Sequence, residues 1–365
     1  MSRPRVVLLR GHWANPWELG AWELLSDRFD VSVAVTASNA YEVGRLRLAQ
    51  LPIGSLRDRL PSGRLGDLAI HVPGDRYFGL EDALRGADVV HTAELGEWFA
   101  AQPARLKSAL GFRLVVTVWG TIPFLPTFLD RVRGPRWAAA TREVLAAADL
   151  YLATTERART ALVLEGVDPA RVAVAAPGID TERFAAARAP ARDVIVSPGR
   201  LVWEKGHFDV LRALALLSGE RRLLIVGAGR ERERLLRHAA ELGVADRVEI
   251  RSVPYDEMPA VFARAEVVVL ASLATPAWEE QFGMVLAEAL AAGAPVVASR
   301  SGAIPEVLAG SSARLFEPGD WPELARLLDE TPPAADDSAV VARYSREAAA
   351  ERLAAAYERV LGRMP

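Results

Sequence analysis

The 365-residue sequence contains no cysteine. That excludes a disulfide framework, thiolate zinc sites and a cysteine nucleophile together. Lysine is almost as scarce, because among 44 basic residues only Lys107 and Lys205 are not arginine. Net charge is also low, at −3, so the chain has no overall basic field of the kind that gathers polyanions, and nucleic acid is not an expected partner. Long apolar runs are missing. Val6–Leu9 passes directly into Arg10, Gly11 and His12, too short a run for the core of a secretory signal. Nowhere do the ~18 apolar residues of a membrane-spanning helix occur. The expectation is a cytoplasmic protein whose membrane contact, if any, is peripheral at the inner face.

What is present is a soluble composition, 51% hydrophobic and 25% charged, over a length that predicts two domains. Short β-branched runs alternate with Ala/Leu-rich helical patterns: Val6–Leu9, Val31–Val35, Leu68–Val72, Val89–His91, Leu114–Val118, Leu150–Ala153 and Val172–Ala175. The rhythm restarts with Val194–Val196, Leu223–Val226, Val248–Ile250, Val267–Leu270 and Val296–Ala298. Such alternation predicts an α/β protein of two doubly wound parallel sheets. The strandless, Pro-containing stretch Phe184–Asp193 reads as the linker, giving domains 1–187 and 188–344, with an amphipathic tail helix over 345–365. Ala348, Leu353, Ala356, Tyr357 and Val360 share one face of that tail.

Three stretches carry chemistry. The first is Ser197-Pro-Gly-Arg-Leu-Val-Trp-Glu-Lys-Gly-His207, where Arg200 and Lys205 lie in a glycine-bounded loop between a strand end and a helix start. Backbone N–H groups and the helix dipole favour an anion there, and a compact ammonium reaches places a planar guanidinium cannot. A phosphate site is the natural reading. The second is Val226-Gly-Ala-Gly229, a strand entering a Gly-x-Gly turn. Arg232 occupies the third glycine position of a dinucleotide fingerprint, which counts against a nicotinamide cofactor. The third is Trp278-Glu-Glu-Gln-Phe-Gly-Met-Val-Leu-Ala-Glu-Ala-Leu-Ala-Ala-Gly293. A helix is expected from about Met284 to Ala292, apolar everywhere except Glu288. A helix without a polar face is buried on all sides, so Glu288 has either a partner or a ligand. Glu280 and Glu288 could flank one ligand whose phosphates rest on the amides around Gly283, and a carboxylate suits the vicinal hydroxyls of ribose or hexose.

These pieces resemble the retaining glycosyltransferases of family 4, which have the GT-B fold: two Rossmann-like domains facing a central cleft, with a C-terminal helix crossing back to the first. The similarity runs from Ala176-Pro-Gly-Ile-Asp-Thr-Glu-Arg-Phe184 through the Lys205 loop, Gly227–Gly229, Arg247-Val-Glu-Ile and the Glu280/Glu288 pair to Ser301-Gly-Ala-Ile-Pro-Glu306, about half the chain. The resemblance implies roles. Arg200 and Lys205, in the loop that Gly199 opens, would neutralise a donor diphosphate with Gly227 alongside. Glu280 and the amides of Phe282, Gly283 and Met284 would hold the transferred sugar, and Val285 would add an amide to the phosphates. Glu288 would take the ribose hydroxyls, and Ser252 and Val253 the base. No metal and no cofactor beyond the nucleoside diphosphate sugar is implied, and an acceptor would bind the first domain.

That first domain departs from the family. Trp119 and Gly120, in Val115-Val-Thr-Val-Trp-Gly-Thr-Ile-Pro123, stand where many members carry a histidine, and Gly11-His-Trp-Ala-Asn-Pro16 replaces a Gly-Gly turn. Gly11, His12, Trp13, His91, Glu94 and Trp119 are therefore the acceptor-side candidates. Trp13 and Trp17 follow the first strand, where open sheets bind ligands. The Arg-rich stretch 41–64 and Arg131-Val-Arg-Gly-Pro-Arg136 are the candidate membrane-facing surfaces. The expected activity is transfer of a hexose from a UDP- or GDP-linked donor to an unidentified glycan, glycolipid or small molecule. The alternatives are a GT-B sugar-nucleotide epimerase and a non-catalytic sugar-nucleotide binding protein.

Overall fold

A computed structural model describes residues 2–61, 70, 74–123, 135–187, 189, 191–330 and 335–362. The expected strand over 68–72 apart from Ile70, the end of the Arg-rich 41–64 stretch and the basic side chains at 131–136 lie outside the described residues. Contacts divide the chain into two units, one comprising residues 1–178 and 346–365 and the other 179–345.

In the first unit the apolar runs become β1 (Arg5–Leu9), β2 (Asp30–Val35) and β3 (Ala49–Pro52), a two-stranded ribbon of β4 (Gly54–Ser55) and β5 (Tyr77–Phe78), then β6 (Val89–Ala93), β7 (Arg113–Val118), β8 (Leu150–Ala153) and β9 (Val172–Val174). Seven of them form a parallel sheet in the order β3-β2-β1-β6-β7-β8-β9. The inner strands read as continuous Val/Leu runs because both faces are buried. The order reverses between β1 and β6, and ligands of doubly wound sheets bind at the carboxyl ends beside such a reversal.

The second unit repeats the plan with β10 (Val194–Pro198), β11 (Leu223–Val226), β12 (Val248–Arg251), β13 (Ala265–Leu270), β14 (Val296–Ser299) and β15 (Arg314–Phe316), in the order β12-β11-β10-β13-β14-β15. Its reversal lies between β10 and β13. Those two strands therefore deliver their following loops to one place, although β11 and β12 separate them in sequence.

The linker expected at 184–193 begins instead as part of the second unit. Asp180 caps the helix Thr181–Ala186, and Phe184 is fully buried with its ring near Tyr255 and Phe262. An aromatic anchor of that kind burying ~150–250 Å² holds the segment on its core. The tail helix runs Arg346–Val360 and packs within the first unit. Its buried face includes Leu353, Ala356 and Tyr357 as expected, with Ala349, Ala350 and Ala354 rather than Ala348 completing it. Tyr357 explains the attachment, since its hydroxyl accepts from Trp22 Nε1 at 2.7 Å and meets His91 Nδ1 at 2.7 Å. No described helix is long and apolar enough to cross a membrane.

Candidate functional site

The loop after β10 and the loop after β13 bring Lys205 and Glu280 together. Lys205 Nζ donates to Glu280 Oε2 at 2.6 Å, with side chains only 14% and 9% exposed. Ser272 Oγ donates to the same oxygen at 2.6 Å, and the ammonium lies 5.5 Å from the Trp278 ring centroid. The Glu280 backbone is clamped as well: its N–H donates to Ser301 Oγ, which donates to the Leu273 carbonyl, and its carbonyl accepts from Ala303 N. Arg200 is exposed and makes no ion pair among the described residues. Two cations of the same loop are thus presented differently, one stored against a carboxylate and one in solvent.

The loop backbones themselves are tightly fitted. A Cβ on Gly227 would stand 1.9 Å from the Gly199 carbonyl oxygen, and one on Gly206 1.8 Å from that of Ala271. These glycines permit close approach of neighbouring loops, which is the physical content of the Gly-x-Gly turn here. Beneath them His207 is buried between Ser197 Oγ, 2.9 Å from Nδ1, and the Arg200 carbonyl, 3.3 Å from Nε2. Burial pushes its pKa down to about 4, so the ring is neutral near pH 7, with Nε2–H donating to the carbonyl and Nδ1 accepting from the serine.

Gly283 is left-handed ahead of the helix Met284–Ala291, and Gly293 is left-handed beyond its end. Phe282 and Gly283 are buried, while Met284 and Val285 are half-buried at the helix start. Glu288 is 2% exposed and accepts the Tyr255 hydroxyl at 2.5 Å. Its Oε2 is buried without a hydrogen-bond partner among the described residues. Burial pushes Glu288 up to about 7, against the Tyr255 hydrogen bond and the Arg183 charge, which both pull it down. Ser252 is exposed and Val253 half-buried immediately after β12.

In the first unit the candidates separate. Gly11 is left-handed, and His12 and Trp13 border a cavity of about 420 Å³ with Ser38, Asn39, Arg57 and Asp58. Trp13 is 51% exposed there, and the His12 ring packs on it at 4.3 Å between centroids. Glu94 alone among the described non-glycine residues has a left-handed backbone, φ 61°. Its carboxylate accepts from Trp119 N at 3.1 Å, joining the loops after β6 and β7. Trp119 lines a small cavity of about 30 Å³ with Glu18, Trp22, Thr117 and Thr154. His91 stands apart from these. It is fully buried in β6, both ring nitrogens are engaged, by Tyr357 and by Thr117 Oγ1 at 2.8 Å, and burial holds its pKa well below the usual value. It is a packing residue, with no ring nitrogen left for a substrate.

Tyr255, Ser272 and the buried role of His207 carry no signal in the sequence. Each sits within three residues of a segment already singled out, but nothing local marks a tyrosine or serine whose partner is 8 to 33 residues away.

The profile for group 1 glycosyl transferases matches residues 178–357, and that for glycosyltransferase family 4 matches residues 21–183. A 2-deoxystreptamine glucosyltransferase of Streptomyces kanamyceticus is 30% identical over 267 residues, covering 64% of this chain and 67% of that protein. The chain belongs to glycosyltransferase family 4. A GDP-mannose-dependent α-(1-6)-phosphatidylinositol monomannoside mannosyltransferase of Mycolicibacterium smegmatis is 40% identical over 136 residues, 35% of this chain and 36% of that one. Against that enzyme and related inositol-phosphate glycosyltransferases and mannosyltransferases, the match spans 36% to 48% of the relative's length. The crystal structure of HepE from Anabaena with UDP and glucose superposes with a TM-score of 0.77 over 100% of both chains at 19% identity. This family member therefore has the GT-B fold.

Proposed function

We propose that the chain is a retaining hexosyltransferase that moves a hexose from a nucleoside diphosphate donor, UDP- or GDP-linked, to an acceptor bound by its first unit. The Lys205–Glu280 pair at the sheet reversal of the second unit carries this reading. A largely buried ammonium beside a buried carboxylate, next to a helix N-terminus, serves a ligand that is anionic on one side and hydroxylated on the other. In the proposed reaction the C1–O bond to the diphosphate breaks while the acceptor oxygen bonds C1 from the same face. The departing phosphate oxygen takes the acceptor proton. Arg200 and Lys205 stabilise the charge that develops on that oxygen, and such electrostatic terms are commonly the largest in transfer reactions.

Glu280, with the amides of Phe282, Gly283 and Met284, orients the hexose; Val285 adds an amide to the diphosphate, Glu288 takes ribose hydroxyls, and Ser252 and Val253 contact the base. The two cations neutralise the diphosphate without a divalent ion, so turnover is expected to survive EDTA. On the acceptor side, Trp13 offers an exposed aromatic face beside His12, and Glu94 fixes the Trp119 loop. The acceptor panel begins with inositol phosphate and 2-deoxystreptamine, the acceptors in relatives' names. The reading further expects a cytoplasmic enzyme, with membrane contact limited to peripheral binding that a vesicle sedimentation assay measures.

The deciding experiment incubates UDP- and GDP-hexoses with that panel, with and without EDTA, and assigns the product anomer by NMR. Retained configuration in a Lys205-dependent product supports the reading. An inverted product, hydrolysis alone or a sugar epimer formed without acceptor overturns it.

A further inference from the structure

Glu288 is an anomaly of packing, a carboxyl group in a helix whose neighbours Leu286, Ala287, Ala289 and Leu290 are all buried. One of its oxygens is accounted for by Tyr255 and the other by nothing described. Tyr255 belongs to the turn Tyr255–Glu257 that follows Ser252 and Val253, and Pro254 leads into it with extended backbone. Its ring is held on two sides: Phe184 meets it in a T-shaped contact at 6.1 Å between centroids, and the Arg183 guanidinium lies 5.7 Å over its face. Arg183 is itself fixed to Asp256 at 2.8 Å. The phenol therefore has little freedom to point elsewhere, and the segment assigned to the base is hydrogen-bonded directly to the carboxylate assigned to the ribose.

We propose that Tyr255 is a positioning residue for nucleotide recognition, donating to Glu288 Oε1 so that Oε2 is oriented for a ribose hydroxyl of the donor. This rests on Glu288 being the ribose ligand. The geometry has a chemical consequence. A carboxylate accepts two hydroxyl donors well only when ionised, and the phenol's hydrogen bond favours the ionised form. Arg183, from the helix Thr181–Ala186, acts in the same direction, while Asp180 and Asp256 are the acidic groups around the Tyr255–Arg183 side. Without the hydroxyl, Glu288 stays protonated to higher pH. Ribose recognition is then lost at neutrality and regained in alkali.

The test titrates UDP and GDP and their 2′-deoxy and 3′-deoxy counterparts by calorimetry, from pH 6 to 9, against wild type, Tyr255→Phe and Glu288→Gln. Wild type is expected to prefer the ribonucleotide by about tenfold, the order of one hydrogen bond to a charged acceptor. Tyr255→Phe is expected to lose most of that preference at pH 7, to regain it as pH rises, and to bind the deoxynucleotide as wild type does, which also reports an intact fold. Glu288→Gln is expected to lose the preference at every pH. If Tyr255→Phe weakens ribo- and deoxynucleotides equally at all pH values, Tyr255 only packs and the proposal is wrong. If wild type binds ribo- and deoxynucleotides equally, the assignment of Glu288 fails and the proposal falls with it. If neither UDP nor GDP binds wild type, the donor reading itself is overturned.

Discussion

Replacing Glu280 with glutamine separates its two jobs, storing Lys205 and holding the sugar. The pair is nearly buried, and Ser272 bonds the same carboxylate oxygen, so removing the charge strands a mostly buried ammonium. Removing one member of a fully buried pair costs about 3–5 kcal/mol. The amide oxygen still accepts from Lys205 and Ser272, and both side chains retain some exposure, so about 2 kcal/mol is the better figure here. In a domain of this size that lowers Tm by roughly 4–8 °C. Nucleoside diphosphate should reverse the deficit, because the freed ammonium now meets the phosphates without a competing carboxylate. At a hundredfold excess over Kd, ligand adds about 2.7 kcal/mol, and tighter binding adds more. Differential scanning fluorimetry with and without UDP or GDP, alongside transfer assays, reads both effects. The variant should be less stable free, shifted further than wild type by the diphosphate, and about a hundredfold or more slower in transfer. A Glu280→Gln protein that loses the nucleotide shift, as Lys205→Ala should, or that transfers sugar at the wild-type rate, refutes the stored-cation account.

Stability should peak near pH 6.5. His91 and His207 are held neutral, so the folded state loses about 1.4 kcal/mol per pH unit for each as pH falls through 6.5, where only the unfolded chain takes the protons. Glu288 acts oppositely: raised to about 7, it favours the folded state progressively as pH falls from 7 towards 4.5. Urea titrations of Glu288→Gln should accordingly show about 3 kcal/mol more stability above pH 7 and a steeper acid-side loss than wild type, whereas parallel pH profiles would contradict the buried-acid assignment. Tyr357→Phe removes the hydroxyl between Trp22 and His91 and leaves buried polar groups unmatched; a cost of about 2–3 kcal/mol is expected in chemical denaturation, and a neutral result would mean the network is solvated. At Glu94 two substitutions isolate backbone strain, since both delete the bond to Trp119 N while only glycine relaxes the left-handed backbone; Glu94→Gly should exceed Glu94→Ala in stability by about 1 kcal/mol, and equal values would remove the strain.

Of the eleven expected strands that fall among the described residues, ten begin within one residue of their observed starts, and the reason is physical: in parallel sheets covered on both faces, inner strands must be continuous apolar runs. The strands without that signature are the two-residue pair β4 and β5 and the sheet edges β3 and β15. β3, Ala49-Gln-Leu-Pro, is largely exposed and carries a proline, and β15 is three residues at the opposite margin of the second sheet. Neither needs the apolar signature that burial imposes. The stretch around Phe184 reads as a linker for a related reason. Ala-rich residues around Phe184 look featureless in sequence, and only the aromatic pocket of Tyr255 and Phe262 makes them part of a core.

The candidate site divides the same way. A lone glutamate in an apolar helix, a rare lysine between glycines and a non-glycine at the third fingerprint position are local facts, and local chemistry alone was enough to mark them. Their partners are not local. Lys205 and Glu280 are 75 residues apart, Tyr255 and Glu288 33, His91 and Tyr357 266. Hydrophobic periodicity says which face of a strand or helix is buried, but it does not say which strand lies beside which. By itself the sequence determined the element types, the two-sheet plan and the residues whose character is out of keeping with their neighbours. Strand order, settled only when β13 pairs with β10 instead of following β12, decided that the stored ammonium meets its carboxylate, because loop ends converge where the winding of a sheet reverses.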